Sequence, residues 1–308
     1  MICFLIFLCV TAVVLLAGGF YTYRVAFYSP KKDRDKISAF TSHKYDPYRK
    51  EINRLFCQLS DRPCEDVSIV SFDRLTLFGR YYHVRDGAPL DIGFHGYRSS
   101  ALTDFAGGSE LSFSMGHNLL LVDERAHGRS QGRTISFGIQ ERQDVVRWAN
   151  YAAKRFGADT PILLYGVSMG AATVLMASDL ELPPNVRGII ADCPYASAKD
   201  IIRKVARDMH LPDRLVWPFV KVGAKLYGGF DVDDTDAHRA VKNAKVPILI
   251  IHGENDSFVP CEMSDIVSEN PALVTRFTFP GAEHGFSYLV DTPRYRKIVT
   301  EFVEKALS

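Results

Sequence analysis

Gly166-Val167-Ser168-Met169-Gly170 sets a serine between two glycines. The apolar run 162–165 precedes it, and residues 171–176, a good helix-forming run, follow. Strand, sharp turn, helix is the context in which a G-x-S-x-G pentapeptide presents a hydroxyl at the C-terminal edge of a sheet. Both glycines are needed because the strand and helix backbones approach too closely for side chains, and the helix N-terminus offers a positive dipole end to developing negative charge. A serine hydroxyl is a weak nucleophile near neutral pH, so it needs an adjacent base, itself oriented by an acid. Two later loops supply both. Asp256 ends His252-Gly253-Glu254-Asn255-Asp256 after the apolar run 247–251, and His284 lies in Gly281-Ala282-Glu283-His284-Gly285 after 277–279. Asp192 also ends an apolar run and competes for the acid's role, but the chain order serine, aspartate, histidine favours Asp256. Glu254 and Glu283 flank the site and are expected in solvent or in local pairs. His95 and His127 are expected to be structural, since one such constellation uses one imidazole.

These distant loops meet only if a sheet gathers them. Runs at 90–94, 119–122, 162–165, 189–191, 248–251 and 276–279 are apolar with little alternation, as strands covered by helices on both faces are. Runs at 67–72 and 75–83 alternate instead and predict an antiparallel pair at one edge. The clearest helix spans about 139–156, where Val145, Trp148, Ala149, Ala152 and Phe156 recur at helical spacing and Gly157 offers a stop. Repeated strand, helix, strand units predict a doubly wound α/β sheet. Between Asp192 and Val246 a long excursion carries Trp217, Phe219, Tyr227 and Phe230. It predicts a helical lid over 196–245. Its aromatics are expected to form mainly the lid's own core, with the lining of an acyl pocket as the alternative.

From about residue 67 to residue 307 the sequence resembles the α/β-hydrolase superfamily, and within it bacterial serine esterases with membrane anchors. The resemblance rests on five stretches in family order: Phe94-His95-Gly96-Tyr97, Asp123-Glu124-Arg125-Ala126-His127-Gly128-Arg129-Ser130, 166–170, 252–260 and 281–285. It implies the α/β-hydrolase fold with an eight-stranded, mostly parallel sheet, and a triad of Ser168, Asp256 and His284. It also implies an oxyanion hole formed by the backbone amides of Tyr97 and Met169. The chain departs from the pattern at Asp73-Arg74, where Asp-Gly is frequent, and at Ala126, where Gly is frequent; neither touches a catalytic role. The resemblance names no substrate.

Residues 1–23 carry no charged side chain and are long enough to cross a hydrocarbon core as one helix. No Lys or Arg precedes the apolar run, and Ala17-Gly18-Gly19 is a poor cleavage site, which favours an uncleaved anchor over a signal peptide. Arg24, Lys31, Lys32, Arg34 and Lys36 follow it, so the positive-inside rule predicts a single-pass protein with its catalytic domain on the cytoplasmic side. The organisation is then an anchor (1–23), a juxtamembrane linker with an N-terminal helix (24–65), and an α/β-hydrolase catalytic domain (66–308).

With 37 Lys plus Arg against 36 Asp plus Glu, the 308-residue chain has a net charge of +1, which excludes bulk electrostatic attraction of nucleic acid. Its six cysteines stand at no metal-ligand spacing; a Cys57–Cys64 disulfide would suit an exported domain, but buried free thiols in a reducing compartment are the expected reading. No metal or organic cofactor is required. The expected activity is hydrolysis of carboxylic esters or thioesters of small or lipid-like acyl substrates through an acyl-enzyme on Ser168. A peptidase or acyltransferase would share every motif, and a non-catalytic membrane-anchored scaffold is the third alternative.

Overall fold

The computed structural model describes residues 1–30 and 43–308. Eight strands form one sheet in the order β1-β2-β4-β3-β5-β6-β7-β8. They are β1 (Glu65–Val70), β2 (Thr76–Tyr82), β3 (Leu90–Phe94), β4 (Asn118–Val122), β5 (Ile162–Val167), β6 (Val186–Asp192), β7 (Ile248–Gly253) and β8 (Val274–Phe279). β1 and β2 pair antiparallel, β2 joins β4 antiparallel, and β3 through β8 run parallel. The alternating runs thus sit at one edge and the apolar runs 90–94, 119–122, 162–165, 189–191 and 248–251 in the middle, whereas 276–279 falls in β8, the opposite edge strand, and is only partly buried.

Period-two geometry sends neighbouring side chains of each strand to opposite faces. On one face Ile92, Leu120, Leu164, Ile189 and Ile250 join Trp148 of α5 (Glu141–Phe156), Val174 of α6 (Met169–Met176) and Val241 of α9 (Ala237–Lys242). On the other, Leu121, Leu163, Ile190, Leu249 and Ile251 meet Leu55 of α2 (Arg49–Ser60), Leu111 of α4 (Ala106–Ser114) and Tyr295 of α11 (Thr292–Leu307). α5 forms where expected. Glu141 and Asp144 occupy its first turn, Lys154 and Arg155 its last, and Gly157 stops it at φ 99°. Both departures from the family pattern fall on left-handed backbone: Arg74 has φ 69° and Ala126 φ 63°, conformations that glycine adopts at lower cost.

The excursion after β6 is helical, with α7 (Ala198–Asp208), α8 (Asp213–Val222), a π-helical turn (Gly223–Gly228) and α9. The N-terminal apolar segment is one helix, α1 (Ile2–Thr22), long and apolar enough to span a membrane. The expected linker does not begin at residue 24. A π-helical turn (Tyr23–Phe27) carries the chain into the body, where Phe27 is fully buried between the rings of Phe137 and Phe230. Tyr28 bridges to Thr134, and Ile135 donates its amide to the Phe27 carbonyl at 2.7 Å. Lys31, Lys32, Arg34 and Lys36 lie outside the described residues. Cys57 and Cys64 are free thiols but, against expectation, exposed rather than buried; Cys193 is the buried one among the described residues.

Candidate active site

The turn between β5 and α6 is as tight as its sequence requires. A Cβ on Gly166 would lie 2.2 Å from the Gly170 carbonyl oxygen, and one on Gly170 would lie 2.0 Å from that of Phe94. Between them Ser168 takes φ 56° and ψ −114°, a conformation costly to any residue with a side chain. Its amide is held by the Asp192 carbonyl at 2.8 Å.

Ser168, Asp256 and His284 come together in one cleft. His284 Nδ1 lies 2.6 Å from Asp256 Oδ2, and His284 Nε2 lies 2.9 Å from Ser168 Oγ. The carboxylate fixes the proton on Nδ1, leaving Nε2 as the acceptor for the Ser168 hydroxyl. Asp256 is itself fully engaged. Its Oδ1 accepts the amides of Phe258 and Val259 at 2.9 and 2.7 Å, and its Oδ2 accepts from His252 Nε2 at 3.2 Å as well as from His284. Burial raises the pKa of this carboxyl, but the hydrogen bonds from His252, His284 and Val259 outweigh it and hold the group well below the usual carboxylate range.

Asp192, the rival acid, points elsewhere: its Oδ2 accepts the Tyr295 hydroxyl at 2.8 Å, and its Oδ1 has no hydrogen-bond partner among the described residues. Desolvation, only partly offset by Tyr295, pushes its carboxyl up to about 6. Glu254 pairs with Thr278, and Glu283 with Ser257.

The loop after β3 is braced rather than reactive. His95 donates from Nδ1 to the Gly96 carbonyl and accepts the Glu124 amide on Nε2. His127 donates from Nδ1 to the Arg125 carbonyl and accepts the Arg98 amide on Nε2. Asp104 takes the Gly96 amide at 2.6 Å and the Ser99 hydroxyl at 2.6 Å. These bonds pin Tyr97 between two fixed neighbours. Among the described residues the amides of Tyr97 and Met169 have no intramolecular acceptor, as a site for a ligand oxygen would require.

A cavity of about 280 Å³ opens beside Ser168 and His284, with apolar walls from Ile52, Leu55, Phe105, Ala106 and Leu289 and polar groups from Tyr165, Asp192 and Tyr295. Its wall comes from α2, α3 (Ala101–Asp104), α4 and α10 (Ser287–Val290). No residue of 196–245 is among its lining: the excursion's aromatics pack elsewhere, with Phe230 on Phe27 and Tyr227 on Phe20 and Tyr23.

Two contacts escaped sequence reasoning. His252 stands inside a quoted motif, yet its bond to Asp256 depends on how the loop after β7 turns back. Cys193, at φ 49°, places its sulfur 3.9 Å from His284 Nε2; the strand end before it was the one signal for it.

The sheet order, the elbow after β5 and the helical excursion after β6 make this chain an α/β-hydrolase by fold. Residues 214–306 match the dienelactone hydrolase family. Over 302 residues, 96% of this chain and 94% of the relative, it is 26% identical to the uncharacterized protein YqkD of Bacillus subtilis (strain 168). It is similar in structure to the Pyrococcus furiosus esterase Pf2001, with a TM-score of 0.67 and 22% identity over 82% of this chain and 94% of that one. Est1E from Butyrivibrio proteoclasticus, solved with ferulic acid bound, gives a TM-score of 0.58 and 20% identity over 78% of this chain and 99% of that one.

Proposed function

We propose that the protein is a serine hydrolase that cleaves carboxylic esters or thioesters through an acyl-enzyme on Ser168. The observation that carries this reading is the His284 imidazole, 2.9 Å from the Ser168 hydroxyl and 2.6 Å from the Asp256 carboxylate. Ser168 Oγ attacks the carbonyl carbon as His284 Nε2 takes its proton. The carbonyl oxygen becomes an oxyanion held by the Tyr97 and Met169 amides. When the tetrahedral intermediate collapses, His284 returns the proton to the leaving alcohol or thiol. Water, deprotonated by the same imidazole, then releases the acid and restores Ser168. Asp256 holds the imidazole in the productive tautomer and stabilises its cationic form. The cavity beside Ser168 takes the acyl group, and the apolar part of its wall suits hydrocarbon. The family match over 214–306 and the esterase neighbours support hydrolysis over a purely binding role.

α1 serves in this reading as a single-pass anchor, with Arg24 and the basic residues after it on the cytoplasmic side. Turnover of short aryl esters tests the chemistry. The wild type is expected to hydrolyse them, Ser168→Ala to be inactive, and Asp256→Asn to lose about 10⁴-fold in kcat as the imidazole tautomer is lost. Equal turnover by Ser168→Ala would refute the assignment.

A further inference from the structure

The end of α1 does not dangle from the body; it is docked on the helical excursion. A Cβ on Gly18 would lie 2.3 Å from the Phe219 ring, one on Gly19 2.4 Å from Val222 Cγ1, and one on Gly223 2.6 Å from the Gly19 carbonyl oxygen. The two helices therefore touch backbone to backbone, which only small residues permit. Thr22 donates its hydroxyl to the Phe219 carbonyl at 2.8 Å, and Tyr227 donates to the Leu16 carbonyl at 3.1 Å.

This contact fixes a depth. α1 has 21 residues, a length of about 31 Å against a hydrocarbon core of about 30 Å. Leu16 lies six residues before Thr22, about 9 Å back along the helix. A helix that spans the core therefore carries whatever holds its Leu16–Thr22 end below the surface of the leaflet.

The docked face is also apolar beyond the dock. Leu215, Phe219, Val222 and Leu226 follow one another at spacings of four, three and four, a single helical stripe. Phe219 and Val222 meet α1, while Leu215 and Leu226 at the two ends are 70% and 61% exposed. Met209 and Leu211, in the turn between α7 and α8, are exposed as well.

We infer that α8 and the π-helical turn after it form a second, monotopic membrane seat, embedded in the leaflet that holds the C-terminal end of α1. Its occupant is lipid acyl chain, because the stripe runs without a break from the face covered by the spanning helix. Interfacial helices bury their apolar face by about 5–10 Å, the depth that the Tyr227–Leu16 bond imposes. The inference rests on α1 spanning the bilayer and is independent of the chemistry at Ser168. The hydrogen bonds on Leu16 and Thr22, with the close packing at Gly18 and Gly19, then prevent the domain from swinging about its anchor.

The full-length protein in phosphatidylcholine vesicles, with and without acyl-brominated lipid, tests it. Single tryptophans are introduced as Leu215→Trp, Leu226→Trp, Val13→Trp in α1 and Val70→Trp on β1, and the emission each adds to the parent is followed. The seat predicts at least twofold quenching at 13, 215 and 226 and none at 70. Quenching at 13 with 215 and 226 as bright as 70 overturns the seat while leaving the anchor. No quenching at 13 removes the anchor and the seat together. Positions 215 and 226 shielded from both brominated lipid and aqueous acrylamide would mean that a second copy covers the stripe, and would also overturn the proposal.

Discussion

Asp192 ends β6, Asp256 stands in the loop after the neighbouring β7, and the two carboxyls shift in opposite directions. At Asp256, burial is outweighed by donors on both oxygens, so the folded pKa is depressed. Its stabilising share is present above the ordinary carboxylate range and is lost as pH falls below it. At Asp192 burial prevails, and the folded pKa rises to about 6. That share is complete below about pH 4, the ordinary aspartate value, and is lost as pH rises through about 6. Asp192→Asn keeps the shape and the Tyr295 bond without the charge. Relative to wild type it is expected to gain stability with rising pH, by roughly 3 kcal/mol at pH 8 and almost nothing at pH 4. Thermal unfolding at the two pH values measures this, and a pH-independent difference would contradict it. Ser168, Asp256 and His284 were legible because each stands in a short motif whose chemistry depends on local spacing. The second imidazole on Asp256 was not, since nothing in the sequence near His252 says that its ring reaches the carboxylate four residues on.

At the level of elements, the central parallel strands were legible because burial on both faces leaves a largely apolar run; edge strand β8, with Thr275, Arg276 and Thr278, carries that signal only weakly. The wall of the cavity was not. α2 reads as an amphipathic helix in a charged segment, and the side chains that make its apolar face, Ile52 and Leu55, carry no mark of what they cover. The excursion 196–245 attracted that role by its length and aromatics, yet it packs on α1 and Phe27. Under the proposed acyl pocket, Ile52→Ala shortens the wall by three carbons. It is expected to raise kcat/KM for bulkier acyl esters over acetyl by roughly tenfold, and to cost about 2–4 kcal/mol in stability. An ester series with one common leaving group reads the first effect; unchanged relative rates would separate α2 from acyl recognition.

Across the whole molecule, the N-terminal segment is structurally continuous with the body. The Tyr97 hydroxyl donates to the Ala26 carbonyl at 2.7 Å, and the Arg98 guanidinium reaches the Val25 and Tyr28 carbonyls at 2.8 and 2.9 Å. The residues after the apolar helix thus brace the loop that presents the Tyr97 amide. Composition could not reveal this, because Phe27 among aromatic neighbours reads equally as an interfacial belt or as core. Phe27→Ala is expected to cost about 3–5 kcal/mol, seen as a lowered unfolding midpoint; a value under 1 kcal/mol would mean that the segment is a loose tether after all. The central claim remains the activated hydroxyl on Ser168. Mass spectrometry of the intact chain after incubation with a fluorophosphonate tests it most directly: one adduct, mapped to Ser168 and absent in Ser168→Ala, is the predicted result. A folded wild-type protein that stays unmodified, or carries its adduct on another residue, would contradict it.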